Sequence, residues 1–269
     1  MNNAITVDIE SAARARDPQR NRLLALLPVD DRARLRPHLE PTTLHAGDVL
    51  CGQSARYLYF PTAAIVSLLY VTQSGASNEI AVIGADGVAG LSVGGDSQPL
   101  QSRVQAEGHA FRLRAQLADT SDLLRDLLGR YMRTVQAQIT QAAVCNRHHT
   151  IDQQLCRRLL LGTDLLHSNE IEMSHQALAR LLGVRRESIT VAAHRLQLDG
   201  IIRYSRGRIE IVDRARLEER ACECHAVLQR ERQRLLPAPT HSTSFARSGA
   251  VVTRRVVHTA SYASSFSRI

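Results

Sequence analysis

Ser174-His-Gln-Ala-Leu-Ala-Arg-Leu-Leu-Gly183-Val-Arg-Arg-Glu-Ser-Ile-Thr-Val-Ala-Ala-His-Arg-Leu196 is the stretch of this 269-residue chain that decides its fold. Ser174 has a hydroxyl able to accept from an orphan N–H at a helix start. Leu178, Leu181 and Leu182 fall on one face of a short helix, and Ala177 and Ala179 are small enough for a close helix crossing. Gly183 follows the last helical position and can take a positive φ, which ends that helix abruptly. Val184 buries at the turn, and a second helix starts near Arg185. Ile189, Ala192, Ala193 and Leu196 then face inward, and Arg185, Arg186, Glu187, Ser188, Thr190 and Val191 form the opposite face. Two helices joined by a tight Gly turn, the second opening with polar residues, make a helix-turn-helix.

Immediately downstream, Ile201-Ile-Arg-Tyr-Ser-Arg206-Gly-Arg208-Ile-Glu-Ile211 has the form strand, Arg-Gly turn, strand, which is a wing whose tip arginines reach outward. Charge concentrates here. From Ser174 to Arg208 there are seven arginines and two acids, whereas Glu40 to Gln116 holds four arginines and six acids. The whole chain carries +8, all its basic side chains being Arg, and that sign favours a polyanionic partner.

Upstream, Leu124, Leu128, Tyr131, Val135, Gln138, Ala142 and Cys145 recur at alternating spacings of four and three, the a/d seam of a long helix with Gln138 its one polar member. About 28 residues of helix span some 40 Å. The seam faces either the chain's own core or a twin. A small β barrel does not need that length of partner, which favours a dimer helix over 117–147. Residues 44–113 hold short β-rich runs, at Tyr57–Phe60, Ile65–Val71, Glu79–Ile83 and Arg103–Leu113, broken by turn residues about every ten positions. That spacing predicts a compact antiparallel sandwich or barrel. Two short helices precede it, over Leu23, Leu24, Leu27 and Leu35 to Pro37. The expected fold class is α+β: an N-terminal antiparallel β roll, a long dimerisation helix and a C-terminal winged helix-turn-helix. The expected divisions are an arm (1–21), the roll with its leading helices (22–116), the long helix (117–147), the winged domain (148–236) and a basic, low-complexity tail (237–269) expected to be disordered.

In this order of parts the sequence resembles the Crp/Fnr superfamily of transcription regulators, over about residues 22 to 236. Gly183, Arg186-Glu187-Ser188 and Ile189 match that family's recognition-helix signature. The resemblance implies a homodimer on a roughly palindromic operator in double-stranded DNA, with RNA polymerase as a further partner. It implies that Arg186 and Glu187 read base edges, flanked by Arg185. Arg suits guanine O6/N7, and Glu accepts from cytosine N4. It places backbone contacts at Ser174, Gln176 and Ser188, to which Thr190 and the wing's Arg206 and Arg208 are added. A second base-reading Arg of well-known members falls on Val191 here, which offers a thymine methyl contact at most. The implied dimer interface is Leu124, Leu128, Tyr131, Val135, Gln138 and Ala142. The implied effector pocket in the roll holds Gly84, Asp86, Gly87, Gly90 and Arg103. Members that bind cyclic AMP carry Gly-Glu-Leu and later Arg-Ser or Arg-Thr; here stand Gly84-Ala-Asp86 and Ser102-Arg103 in reversed order. Reversal by one residue turns a strand side chain to the other face, so no tight cyclic-nucleotide binding is expected. The alternative is a constitutive DNA binder whose roll is a scaffold or a protein-docking surface.

Other signals point to plain structure. Cys51, Cys145, Cys156, Cys222 and Cys224 are too few and irregular for a disulfide framework and are expected as reduced thiols. Cys222-Glu-Cys224-His225 lacks a second ligand pair at zinc-like spacing, and His148-His149 sit at a helix junction, so neither a metal nor another cofactor is expected. An N-terminal iron–sulfur cysteine group is absent, and His45 or His109 as a haem ligand is disfavoured. Gly90-Leu-Ser92-Val-Gly94 fits G-x-S-x-G, but Gly95 to Pro99 cannot continue into the helix that a nucleophile elbow needs, and no acid–base set accompanies it; the chain is not expected to be an enzyme. The longest apolar run, Ala63 to Val71, is about half a membrane span, and the N-terminus lacks the apolar core of a secretory signal, so a cytoplasmic location is expected.

Overall fold

The computed structural model describes residues 17–51, 56–91, 100–166 and 168–237. Most of the expected arm, the tail beyond Pro237, and Ser92 of the G-x-S-x-G stretch lie outside the described residues.

Asn21 is an N-cap. Its Oδ1 accepts from the N–H groups of Leu23 and Leu24, and its Nδ2 donates to the carbonyls of Pro61 and Gly87 at 2.9 and 2.8 Å. It caps helix α1 (Arg22–Leu26), followed by α2 (Val29–Leu35). Leu23, Leu24, Leu27 and Leu35 bury against Leu58, Phe60 and Leu113 of the roll. The helical pattern therefore belongs to the roll's own core.

The roll is two antiparallel sheets. One has the order β1-β7-β3, from Glu40–Leu44, Gly108–Arg114 and Tyr57–Pro61. The other has the order β2-β6-β4-β5, from Val49–Cys51, Leu100–Ala106, Ile65–Val71 and Ser77–Ile83. The run expected as one strand over 103–113 is two strands that break at Glu107. Gly108 passes so close to Ala63 that a Cβ would lie 2.5 Å from its carbonyl oxygen. Strand β1 carries almost no apolar signal, since only Leu44 of Glu40-Pro-Thr-Thr-Leu44 is buried. Strand β4 is buried on both faces from Ile65 to Leu69. Its continuous apolar run follows, because the other sheet covers one face and helices cover the other.

The long helix α3 (Asp122–His148) is capped by Ser121, whose Oγ accepts from Leu124 N at 3.2 Å. Its seam does not await a twin. Leu124, Leu128, Tyr131, Val135, Gln138 and Ala142 are all buried within the single chain. The six residues expected at a dimer interface instead face the roll and a late helix, α8 (Cys224–Leu235), that returns along α3. Gln138 shows why a polar residue stands in the seam. Strand β5 is the edge of its sheet, and Gln138 Oε1 accepts from the N–H of Val82 at 2.9 Å. A side-chain carbonyl thereby closes a strand edge that would otherwise leave a buried donor unpaired.

Helix α4 (Ile151–Leu166) is buried on nearly every side, including Arg157 and Arg158. Leu161 and Leu165 pack on Ile65 and Val82 of the roll, and Leu69 of β4 joins the core of the C-terminal domain. Roll and C-terminal domain thus share apolar cores. Next come β8 (Glu170–Glu172), α5 (His175–Leu182), α6 (Arg186–Leu198), β9 (Ile202–Ser205), β10 (Arg208–Ile211) and α7 (Arg214–Arg220). The result is α+β with an antiparallel roll, a long helix and a winged helix-turn-helix.

Candidate nucleic-acid interface

Ser174 caps α5 as its chemistry dictates, with Oγ accepting from Ala177 N at 3.2 Å. Gly183 takes φ 66 and ψ 31, the left-handed geometry that ends α5 and turns the chain into α6. Ile189, Ala192, Ala193 and Leu196 are each no more than 2% exposed. They join Leu178, Leu181 and Leu182 in one core with Ile201, Ile209 and Leu217. With that face fully used, Arg185, Arg186, Glu187, Thr190 and Val191 stand exposed, and Ser188 half-buried beside them.

Three contacts that the sequence did not signal hold this surface. The His175 ring stacks on Tyr204 with centroids 4.1 Å apart, and its Nδ1 lies 3.1 Å from Thr190 Oγ1. Thr190 Oγ1 also donates to the carbonyl of Arg186. The two helices and the wing are therefore pinned together through one imidazole. Burial, then the nearby Arg186 charge, lowers the pKa of His175. Strand β8 completes the wing as a three-stranded sheet of order β8-β10-β9.

The wing tip is Arg206-Gly207, both at positive φ. Among the described residues, Arg180, Arg185, Arg186 and Arg206 have no carboxylate within ion-pair distance. Arg208, an expected backbone contact, spans Glu172 at 2.9 Å and Glu170 at 3.4 Å. Arg195 pairs with Asp152 and Arg203 with Glu210. Exposed pairs of this kind are worth about 0–1 kcal/mol, so a phosphate competes with them at little cost.

The glycines expected in the effector pocket sit against packed neighbours. A Cβ on Gly84 would lie 2.9 Å from Leu165, one on Gly87 would lie 2.3 Å from the Tyr131 hydroxyl, and one on Gly90 would lie 2.4 Å from the Tyr57 carbonyl. Asp86 pairs with Arg232 of α8 at 2.8 Å, and Arg103 donates to Gln101. These glycines are places of close approach, filled by the long helix, α4 and a neighbouring strand.

The cysteines are also placed differently from expectation. Cys145 leaves the seam to meet Cys222 and Cys224, and His149 joins them. His225 does not, being turned to Asp164 at 3.0 Å. A Cys-x3-His spacing at 145–149 was the available signal, and the seam periodicity hid it. Among the described residues, no helix is long and apolar enough to cross a membrane.

Residues 153–220 match the family described as the Crp-like helix-turn-helix domain. No curated protein matches the chain. Several solved structures share its fold. A protein from Eubacterium rectale assigned to the Crp/Fnr family of transcriptional regulators has 17% identity and a TM-score of 0.58, over 74% of this chain and 96% of that one. FixK2 from Bradyrhizobium japonicum has 16% identity and a TM-score of 0.57, over 68% and 98%. The c-di-GMP responsive global regulator CLP of Xanthomonas campestris has 17% identity and a TM-score of 0.54, over 68% and 99%.

Proposed function

We propose that this chain, a Crp-like helix-turn-helix domain on a Crp/Fnr-type fold, is a sequence-specific DNA-binding transcription regulator. The observation that carries this is the exposed polar face of α6. Its apolar face is spent on the domain core, while among the described residues Arg185 and Arg186 stand without a carboxylate partner beside an exposed Glu187. In a major groove Arg185, Arg186, Glu187 and Val191 would meet base edges. Ser174, Gln176, Ser188, Thr190, Arg206 and Arg208 would meet phosphates, fixing register without reading sequence.

A homodimer would present two such helices to half-sites about 34 Å apart. Since the seam is consumed within the chain, the mate would meet the outer stripe of α3. Gly129, Arg133, Gln136, Thr140 and Ala143 are exposed there at the same alternating spacing. Gly129 and Ala143 leave room for two helix backbones to approach. RNA polymerase would be the further partner, and action in the cytoplasm fits such a role.

A second reading concerns the roll alone. With Gly84, Gly87 and Gly90 packed and Asp86 paired, the roll would serve as a scaffold or docking surface and take no small effector at those residues.

Selection of bound duplexes from a random pool tests the DNA reading. A rough palindrome is expected. Replacing Arg186 by Ala should cost about 1–3 kcal/mol and relax preference at one base pair in each half-site. A pool with no symmetric consensus, or an R186A protein of unchanged preference, would overturn it.

A further inference from the structure

Two segments far apart in sequence meet at the end of the long helix. Cys145 lies on its last turn and His149 at its C-cap, while Cys222 and Cys224 lie where α8 begins. Cys145, Cys222 and Cys224 are each no more than 4% exposed, and the His149 side chain is 11% exposed. One ligand atom from each of the four falls within 4.8 Å of every other. Cys145 Sγ and Cys222 Sγ are 3.6 Å apart, and Cys224 Sγ and His149 Nδ1 are 3.4 Å apart. We propose that these four side chains form a closed, tetrahedral Cys3His site for a single zinc ion, which clamps the start of α8 to the end of the long helix.

The distances carry the stoichiometry. With Zn–S near 2.3 Å and Zn–N near 2.0–2.1 Å, the edges of a tetrahedron are about 3.8 Å between sulfurs and about 3.5 Å from sulfur to nitrogen. Both separations are close to those edges, and the 3.6 Å between Cys145 Sγ and Cys222 Sγ is far longer than the roughly 2.05 Å of a disulfide. A multinuclear iron–sulfur cluster spreads its ligands over two or more metal atoms, a wider span than donors all within 4.8 Å of one another offer. Three thiolates and an imidazole are a soft donor set, suited to zinc and unsuited to magnesium or calcium. Binding releases the thiol protons to solvent.

The surroundings already hold these donors in place. His149 turns Nδ1 toward the sulfurs while its Nε2 lies 3.2 Å from the Glu223 carboxylate. That is the carboxylate–histidine arrangement that fixes the tautomer of a metal-bound imidazole. Gln141 Nε2 lies 3.0 Å from Cys224 Sγ, as a donor to a thiolate would. From this point α8 runs back to the roll, where Arg232 pairs with Asp86 and Arg22 donates to the carbonyl of Leu236. The clamp thus fixes one end of a helix whose other end is held by the roll. It stands whether or not the chain binds DNA.

The full chain, purified reduced and without added metal, should contain about one zinc ion per chain by elemental mass spectrometry. Cobalt(II) exchanged into it should show thiolate charge-transfer and the intense visible bands of a tetrahedral site. Cys222→Ser should lose the metal, while His225→Gln, at a neighbouring histidine outside the cluster, should keep it. Should C222S not fold, Glu223→Gln carries the test on a surface side chain. It should weaken zinc roughly 10- to 100-fold in competition with a chromogenic chelator. A reduced chain that takes up no zinc, a cobalt form without thiolate bands, or unchanged affinity in both C222S and E223Q would overturn the proposal. So would a Cys145–Cys222 disulfide forming under mild oxidant in a chain that binds no metal.

Discussion

Replacing Arg158 by Met tests how the roll is fastened to the winged domain. Arg158 on α4 is 1% exposed in its side chain, and its partner Glu79 on β5 is 6% exposed. The Arg158 Nε lies 2.7 Å from Glu79 Oε1, and Nη2 donates to Oε2 at 3.3 Å. Ser67 Oγ donates to the same carboxylate, and Gly162 leaves the space that the guanidinium fills. At an effective dielectric of about 20, two charges at that separation attract by about 6 kcal/mol. Several kcal/mol of desolvation per ion offsets most of this, so the intact pair adds little net stability. Removing one partner is different, because a buried carboxylate is left with only a serine, at a cost of about 3–5 kcal/mol. Urea denaturation of the parent, Arg158→Met, Glu79→Gln and the double variant would measure it. R158M should lose about 3–5 kcal/mol, a large share of a typical 5–15 kcal/mol, and the double variant should recover most of that loss. An R158M protein within about 1 kcal/mol of the parent, or a double variant whose loss is the sum of the singles, would refute the reasoning.

Three further perturbations follow from the packing. Gln138→Leu leaves the Val82 N–H buried without its acceptor and should cost about 1–3 kcal/mol by denaturation, with faster amide exchange at Val82 itself. Burial pushes the Asp164 carboxyl up, but hydrogen bonds from His225, Arg214 and Gln229 outweigh it and hold the pKa at about 2. A folded pKa below the unfolded value of about 3.9 means stability that is full above about pH 4 and is lost as pH falls toward 2, on the order of 2 kcal/mol. Asp164→Asn should remove that slope in an acid titration of stability; an identical slope in the variant would exclude Asp164 as its source. Gly87→Ala forces a methyl against the Tyr131 hydroxyl and should cost about 1–3 kcal/mol in thermal unfolding, whereas an open effector pocket would accept it without loss.

The helix-turn-helix was legible because its signals are local. Ser174 caps, Gly183 turns left-handed, and the spacing of Leu178, Leu182, Ile189 and Leu196 assigns a face to each helix, all within a few residues of chain. The wing followed for the same reason, since Gly207 readily takes the positive φ that the tip requires. Strands β1 and β8 were not legible. They are short and each buries a single side chain, Leu44 or Ile171, so pairing with β7 and β10 is what makes them strands. The recognition-helix face was legible as a surface, but the stack of His175 on Tyr204 that steadies it joins residues from two separate elements.

The sequence by itself determined which stripes must be buried, where the helices begin and end, and where positive charge collects. Periodicity, caps and composition are properties of a single segment. Only the tertiary structure decided what covers each stripe. A seam of Leu124, Leu128, Tyr131 and Val135 reads the same whether a twin or the chain's own roll and returning helix lies against it, because burial is non-directional and records no partner. The same holds for Cys145 and Cys222, which stand 77 residues apart and meet only because α8 folds back along α3. Contacts of that range depend on where whole elements dock, and docking is set by the complementary shapes of faces that no local stretch contains.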